Sequence, residues 1–202
     1  MSEARIERPQ VHSADQAKAV KIDSLKFAMW LFLASEVIIF TVLIATYVVF
    51  RIHNAEIVHE IHEHAGILLV STNTFLLLSS SWTMVMGLRA IQLGDRKGLV
   101  RWIGATAVLG LIFVALQYVE YNQLSAAGVT LYGSEFGMRF YAPTSLHGAH
   151  VIAGVIWALW VVRQGARGVY DNGNYVGVEI FGLYWHFVDV VWIVLFTVIY
   201  LL

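Results

Sequence analysis

Five apolar stretches divide the chain, at approximately 27–50, 67–88, 102–121, 140–162 and 178–200. A helix rising about 1.5 Å per residue needs about 20 apolar residues to cross roughly 30 Å of hydrocarbon. The pattern therefore predicts an all-α, polytopic membrane protein, a bundle of five transmembrane helices spanning most of residues 25–202. The fourth span is least sharply marked at its start, where Arg139, Pro143 and His147 crowd the first turns. Residues 1–24 alternate Glu3, Arg5, Glu7, Arg8, Asp15, Lys18, Lys21 and Asp23 with small apolar residues and are read as a soluble tail. Their layout is not the short basic and then apolar one of a signal peptide. The longest connection, roughly 122–139, mixes Gly128, Tyr132, Gly133, Phe136 and Gly137 as a loop at a membrane interface would. No internal repeat, low-complexity segment or soluble domain stands out.

The polar positions inside the spans are periodic. At 100° per residue, Glu179, Gly182, His186, Asp189 and Ile193 fall within an arc of about 80° on the fifth helix. In the fourth, His147, His150, Gly154 and Ala158 form a stripe whose small residues predict close approach of a neighbouring backbone. The third carries Gly110, Phe113, Gln117 and Glu120, and the second aligns Asn73, Ser80 and Gly87 at intervals of seven. Such seams are what a membrane bundle uses to join its helices.

Composition agrees with the pattern: 58% of the 202 residues are hydrophobic and 13% charged, with a mean hydropathy of +0.68. A net charge of −1 gives no reason to expect nucleic acid as a partner. The absence of cysteine excludes disulfides, thiolate metal sites and iron–sulfur ligation. Charge supplies orientation. Of the 13 Lys and Arg residues, all but Arg51 and Arg139 fall in the tail and in the second and fourth connections. The positive-inside rule then places the N-terminus in the cytoplasm, and five spans put Leu202 outside.

Three features suggest chemistry. Glu36 lies ten residues beyond Lys26, so about 15 Å along the first helix and near the bilayer middle. A carboxyl group there needs a proton or a hydrogen-bonding partner. Ser35, Thr41 or a neighbouring span would provide packing; proton handling or a subunit contact is the functional alternative. His59, Glu60, His62, Glu63 and His64 resemble a metal cluster, but the spacing is not HExxH, and the segment reads as a solvated, weakly acidic outer loop. His147 and His150 sit i, i+3 on one helix, whereas a haem held between spans takes a ligand from each. Most of the tryptophans are core or interfacial residues; Trp185 stands out through its neighbours Tyr184 and His186.

The run Tyr184-Trp185-His186-Phe187-Val188-Asp189-Val190-Val191-Trp192 is the most specific motif. Together with Ser35-Glu36 and Phe40, Asn73-Thr74, Gln117 with Glu120-Tyr121, His147-Gly148-Ala149-His150-Val151 with Gly154, and Arg163-Gln164, it resembles subunit III of the haem–copper terminal oxidases. The matches run through all five spans in the same order. Longer members of that family have seven helices, the first two walling a lipid-filled cleft; this chain resembles the five-helix bacterial form that lacks them. The resemblance implies a non-catalytic subunit of a proton-pumping oxidase in the bacterial inner (cytoplasmic) membrane. It would pack directly against the core subunit I, which carries haem and copper, and alongside other oxidase subunits, supporting proton uptake and the stability of the complex. The resemblance implies no haem or metal in this chain, and bound phospholipid. Glu36 matches the family's buried acidic position, and Arg163, Glu179 and His186 are headgroup candidates. Asp189, His147, His150, Gln117 and Glu120 join them as lipid-contact or packing candidates. Quinol and cytochrome c both stay open as donor, the five-helix length leaning toward quinol. Two rivals are the related subunit of nitric oxide reductases and a free-standing membrane carrier with Glu36, Glu120, Glu179 and Asp189 along its path.

Overall fold

The computed structural model describes residues 11–54, 66–126, 128–133, 135–171 and 173–202, with side chains from residue 24 onward. The His/Glu run at 59–64 lies outside the described residues. Among these residues five helices follow one another: α1 (Val11–His53), α2 (Ile67–Gln92), α3 (Arg96–Ala126), α4 (Glu135–Ala166) and α5 (Val176–Phe196), the last continuing as a π-helical end, Thr197–Leu201. All five are long and apolar enough to cross a membrane, and no strand occurs among the described residues.

The helices overrun the apolar stretches at most ends. Where polar residues meet the interface, backbone hydrogen bonds hold the helix beyond the hydrocarbon, since hydropathy limits depth and not helicity. Thus α1 begins at Val11, within the region expected to be a tail, and the expected 122–139 loop shrinks as α3 reaches Ala126 and α4 starts at Glu135. Pro143 lies inside α4, where it removes one N–H from the ladder. Local side chains bind that turn: the Thr144 hydroxyl donates to the Phe140 carbonyl at 2.8 Å, and the Gln117 amide on α3 donates to the Thr144 carbonyl at 3.1 Å. These bonds tie the proline turn to itself and to α3.

Packing is layered around α5. In its most apolar window, 50% of the residues are buried inside the protein, against 11% in α1. Helices α2 and α3 form an extensive antiparallel pair, α4 packs on α3, and α5 lies against both α2 and α4. Helix α1 leans on α4 and α5 from outside. The α2–α3 connection is only Leu93–Asp95, with Gly94 at φ 79°, a backbone region that costs glycine little.

The centre of this arrangement is the Trp185 indole. An added Cβ on Gly110 of α3 would stand 2.8 Å from its ring, and one on Gly154 of α4 would stand 2.6 Å from it. The small residues of the α4 stripe therefore admit a tryptophan side chain. The close backbone approach expected for them is replaced by this inserted ring.

Candidate functional site

The α5 motif faces α2 through hydrogen bonds from indoles to hydroxyls. Trp185 Nε1 donates to Ser80 Oγ at 2.9 Å, and Trp192 Nε1 donates to Thr74 Oγ1 at 2.9 Å. Seven residues separate the donors and six the acceptors, about two helical turns on each helix, so the bonds repeat along the antiparallel interface. Between them the His186 ring takes a 2.6 Å hydrogen bond with Ser81 Oγ through Nδ1. Asp189 is 3% exposed, and its Oδ2 stands 4.0 Å from His186 Nδ1, too far for a hydrogen bond. Neither Asp189 oxygen has a hydrogen-bond partner among the described residues.

On α4 the two histidines of the stripe part company. His147, wholly buried, packs edge-on to Phe113 and against Trp192, and its Nε2–H donates to the Val188 carbonyl at 3.2 Å. In the neutral ring this leaves the Nδ1 lone pair without a donor among the described residues. His150 turns the other way, toward α1. Its Nε2 lies 3.2 Å from Glu36 Oε2, both side chains being mostly buried, under the rings of Phe40 and Tyr184.

The tautomer of His150 follows from its second contact. Nδ1 sits 2.8 Å from the Leu146 carbonyl, which can only accept, so Nδ1 carries a proton. Nε2 and the Glu36 carboxyl group then share a single proton, as imidazolium with carboxylate or as imidazole with carboxylic acid. Either form leaves the pair neutral overall, which makes an ionisable pair tolerable at that depth. The partner of Glu36 is thus a neighbouring span. Ser35 and Thr41 instead back-bond to the Phe32 and Val37 carbonyls of their own helix.

A second buried acid, Glu120 on α3, accepts a 2.7 Å hydrogen bond from Tyr200 in the π-helical end. The wider turn also presents its carbonyls to α1: Tyr47 donates to Ile199 O at 3.4 Å and Arg51 to Val198 O at 3.1 Å. One helical turn before Glu120, the Gln117 amide donates to the Tyr121 hydroxyl at 3.1 Å, which passes a 2.8 Å bond to Thr144. Near the opposite end, Glu179 pairs with Lys26 at 2.8 Å.

The sequence-predicted residues therefore form several places. Glu36 and His150 come together; His186 and Asp189 are neighbours on α5; Gln117 and Glu120 belong to the α3–α4 and α3–α5 contacts; His147 lies in the core. Arg163 stands apart, exposed in the last turns of α4. Tyr200 as the donor to Glu120, Ser81 beside His186 and Lys26 beside Glu179 were not visible in the sequence. Period within one helix does not say which turn of another helix lies opposite. Among the described residues no group of three or more His, Asp or Glu side chains could hold a metal ion.

Comparison with known proteins connects this arrangement to one family. The family model for cytochrome c oxidase subunit III matches residues 6–202. The cytochrome c oxidase subunit 3 of a Synechocystis species is 40% identical over 183 residues, 89% of this chain and 76% of that protein. Those of a Bacillus species and of Thermostichus vulcanus are 33% and 37% identical, over 86% and 85% of this chain and 83% and 84% of their own lengths. The residues that built the seams thus lie within a match that runs through all five spans, and the chain belongs to the cytochrome c oxidase subunit III family.

Proposed function

We propose that this chain is the non-catalytic subunit III of a proton-pumping terminal oxidase, in which a partner core subunit carries haem and copper and reduces oxygen to water. The observation that carries the reading is the family match across residues 6–202, which takes in all five spans. In this reading it packs directly against the core subunit, in the bacterial inner (cytoplasmic) membrane, with the N-terminus cytoplasmic and Leu202 outside. The charge bias of the connections supports that orientation. The names of the relatives favour cytochrome c as the reducing partner.

Within the complex, Glu36 with His150 is the proton-linked element. A single proton shared between two helices can change position without placing net charge in the bilayer. Gln117, Glu120 and His147 join helices from inside through hydrogen bonds, and Asp189 is a buried packing residue beside His186. Glu179 and His186, with Lys26, Trp30 and Leu183, edge a groove of about 400 Å³ between α1, α2 and α5, and together with Arg163 they serve as lipid-headgroup or subunit contacts.

Affinity purification through a tag on this chain tests the reading. The expected product carries haem-containing partners, shows an oxidase spectrum and consumes oxygen with reduced cytochrome c. A chain that purifies alone, without haem, overturns it and favours a carrier. In the assembled complex, Glu36→Gln should lower proton pumping or shorten turnover lifetime; a variant unchanged in both removes the proton-linked role.

A further inference from the structure

At the end of the bundle that bears Lys26, the described side chains are strongly unbalanced in charge. Arg89, Arg96, Lys97, Arg101, Arg163 and Arg167 join Lys26 there, against Asp95, Asp171 and Glu179. The three acids are already engaged. Asp95 accepts the Gly98 N–H at 2.8 Å, Glu179 pairs with Lys26 at 2.8 Å, and Asp171 lies 3.8 Å from Arg96. Lys97 and Arg101 have no ion-pair partner among the described residues, and both are exposed.

These two cations do not stand on a flat surface. With Arg96, Val100 and Ala166 they line a groove of about 620 Å³ between the start of α3 and the end of α4, within the ~300–1,000 Å³ range of ligand clefts. The groove is built by close contact of the two helices. Gly165 lets Leu99 seat against α4, because a Cβ there would come 2.9 Å from Leu99 Cδ2. Arg96 reaches across and donates to the Gly165 carbonyl at 2.9 Å and to the Ala166 carbonyl. It thereby satisfies carbonyls that end a helix without an in-helix donor, and removes two acceptors that would repel an anion. What remains is a Val100–Ala166 floor flanked by Lys97 and Arg101, at the level where a membrane-spanning helix leaves the hydrocarbon.

We propose that this groove is a seat for the headgroup of an anionic phospholipid. Lys97 and Arg101 hold its phosphate, Arg96 shapes the wall, and Val100 and Ala166 face the first carbons of the acyl chains. Basic clefts between membrane helices on the positively charged side recognise anionic headgroups in this way. The seat lies between α3 and α4, away from the groove that Glu179 and His186 edge, and it does not depend on the oxidase reading.

Native mass spectrometry of the full chain in detergent tests it, with phosphatidylglycerol and phosphatidylcholine of identical acyl chains as probes. Each cation beside an anionic lipid is worth roughly fivefold in affinity, so Lys97→Gln with Arg101→Gln should lower phosphatidylglycerol binding by about 30-fold and leave phosphatidylcholine unaffected. The charge-preserving pair Lys97→Arg with Arg101→Lys should retain binding, and so should Arg89→Gln with Arg167→Gln, whose side chains do not line the groove. Four outcomes overturn the proposal: equal binding of the two lipids by the unaltered chain; no loss in the neutral double variant; an equal loss in the Arg89/Arg167 variant, which would mean diffuse surface charge; or displacement of phosphatidylglycerol by equimolar inorganic phosphate, which would mean an adventitious anion site.

Discussion

The face of α5 that meets α2 and the face of α4 that meets α1 solve the same problem, joining helices in a medium without water, by different means. Between α5 and α2 the join is made mostly by neutral groups: indole N–H donors on hydroxyls, with Trp185 clasped by Gly110 and Gly154. Between α4 and α1 it is made by one ionisable pair, Glu36 and His150, among aromatic rings. Neutral bonds fix geometry and do nothing else. A shared proton fixes geometry and can also respond to its surroundings. The centrally buried helix has the inert join and the peripheral helix the responsive one, which is the order expected if α1 takes part in contacts beyond this chain.

The sharpest way to break this contrast is at its rigid side. Trp185→Ala should destabilise the bundle by about 3–5 kcal/mol, the usual cost of emptying an aromatic site, and leave Ser80 without its donor. Gly154→Val should cost about 1–3 kcal/mol by overpacking the same ring. Thermal melting in detergent, followed by helical circular dichroism, would detect both, and melting curves identical to that of the unaltered chain would show that the indole is not the keystone.

The responsive side should yield to subtler change. Glu36→Ala leaves His150 Nε2 buried without its partner, at a cost of about 1–3 kcal/mol. Glu36→Gln keeps a donor for the imidazole lone pair and should be nearly as stable as the original. A double-mutant cycle with His150→Ala should give a coupling of about 0.5–3 kcal/mol; additivity would mean that the two side chains are neighbours without being partners. Tyr200→Phe isolates the buried Glu120 in the same way, and Glu120→Gln in that background should recover part of the loss. Smallest of all, Lys26→Gln breaks a partly exposed ion pair and should cost about 0.2–1 kcal/mol, fading as salt is added.

Much of this contrast could be read before any coordinates. The five spans follow from apolar run length, and the α5 and α4 stripes follow from helical period. Asn73, Ser80 and Gly87, predicted to share a seam, are all buried in α2. What period could not supply was the identity of partners. His147 and His150 sit three residues apart on one stripe, yet they face α5 and α1 respectively. The divergence arises because each imidazole occupies a boundary between two neighbouring helices, a property of bundle assembly and not of the α4 sequence. The π-helical end is equally invisible, since Thr197–Leu201 has ordinary helix-compatible residues and its wider turn coincides with the long-range contacts of Tyr47, Arg51 and Glu120. Helix ends differ from span ends for another reason: hydropathy reports the hydrocarbon boundary, and the backbone passes it still helical.

The three-residue link Leu93–Asp95 also bears on biogenesis. With so short a tether, α2 and α3 can enter the bilayer together as a single helical hairpin, their large mutual interface assembling from contacts close in sequence, the kind that form fastest. The other spans then have a template, and α5 can slot its tryptophans onto a surface already made. Lengthening that link with a flexible insert should leave the finished protein nearly as stable while slowing its appearance in the membrane, so the glycine turn would matter more to the rate of assembly than to the assembled state.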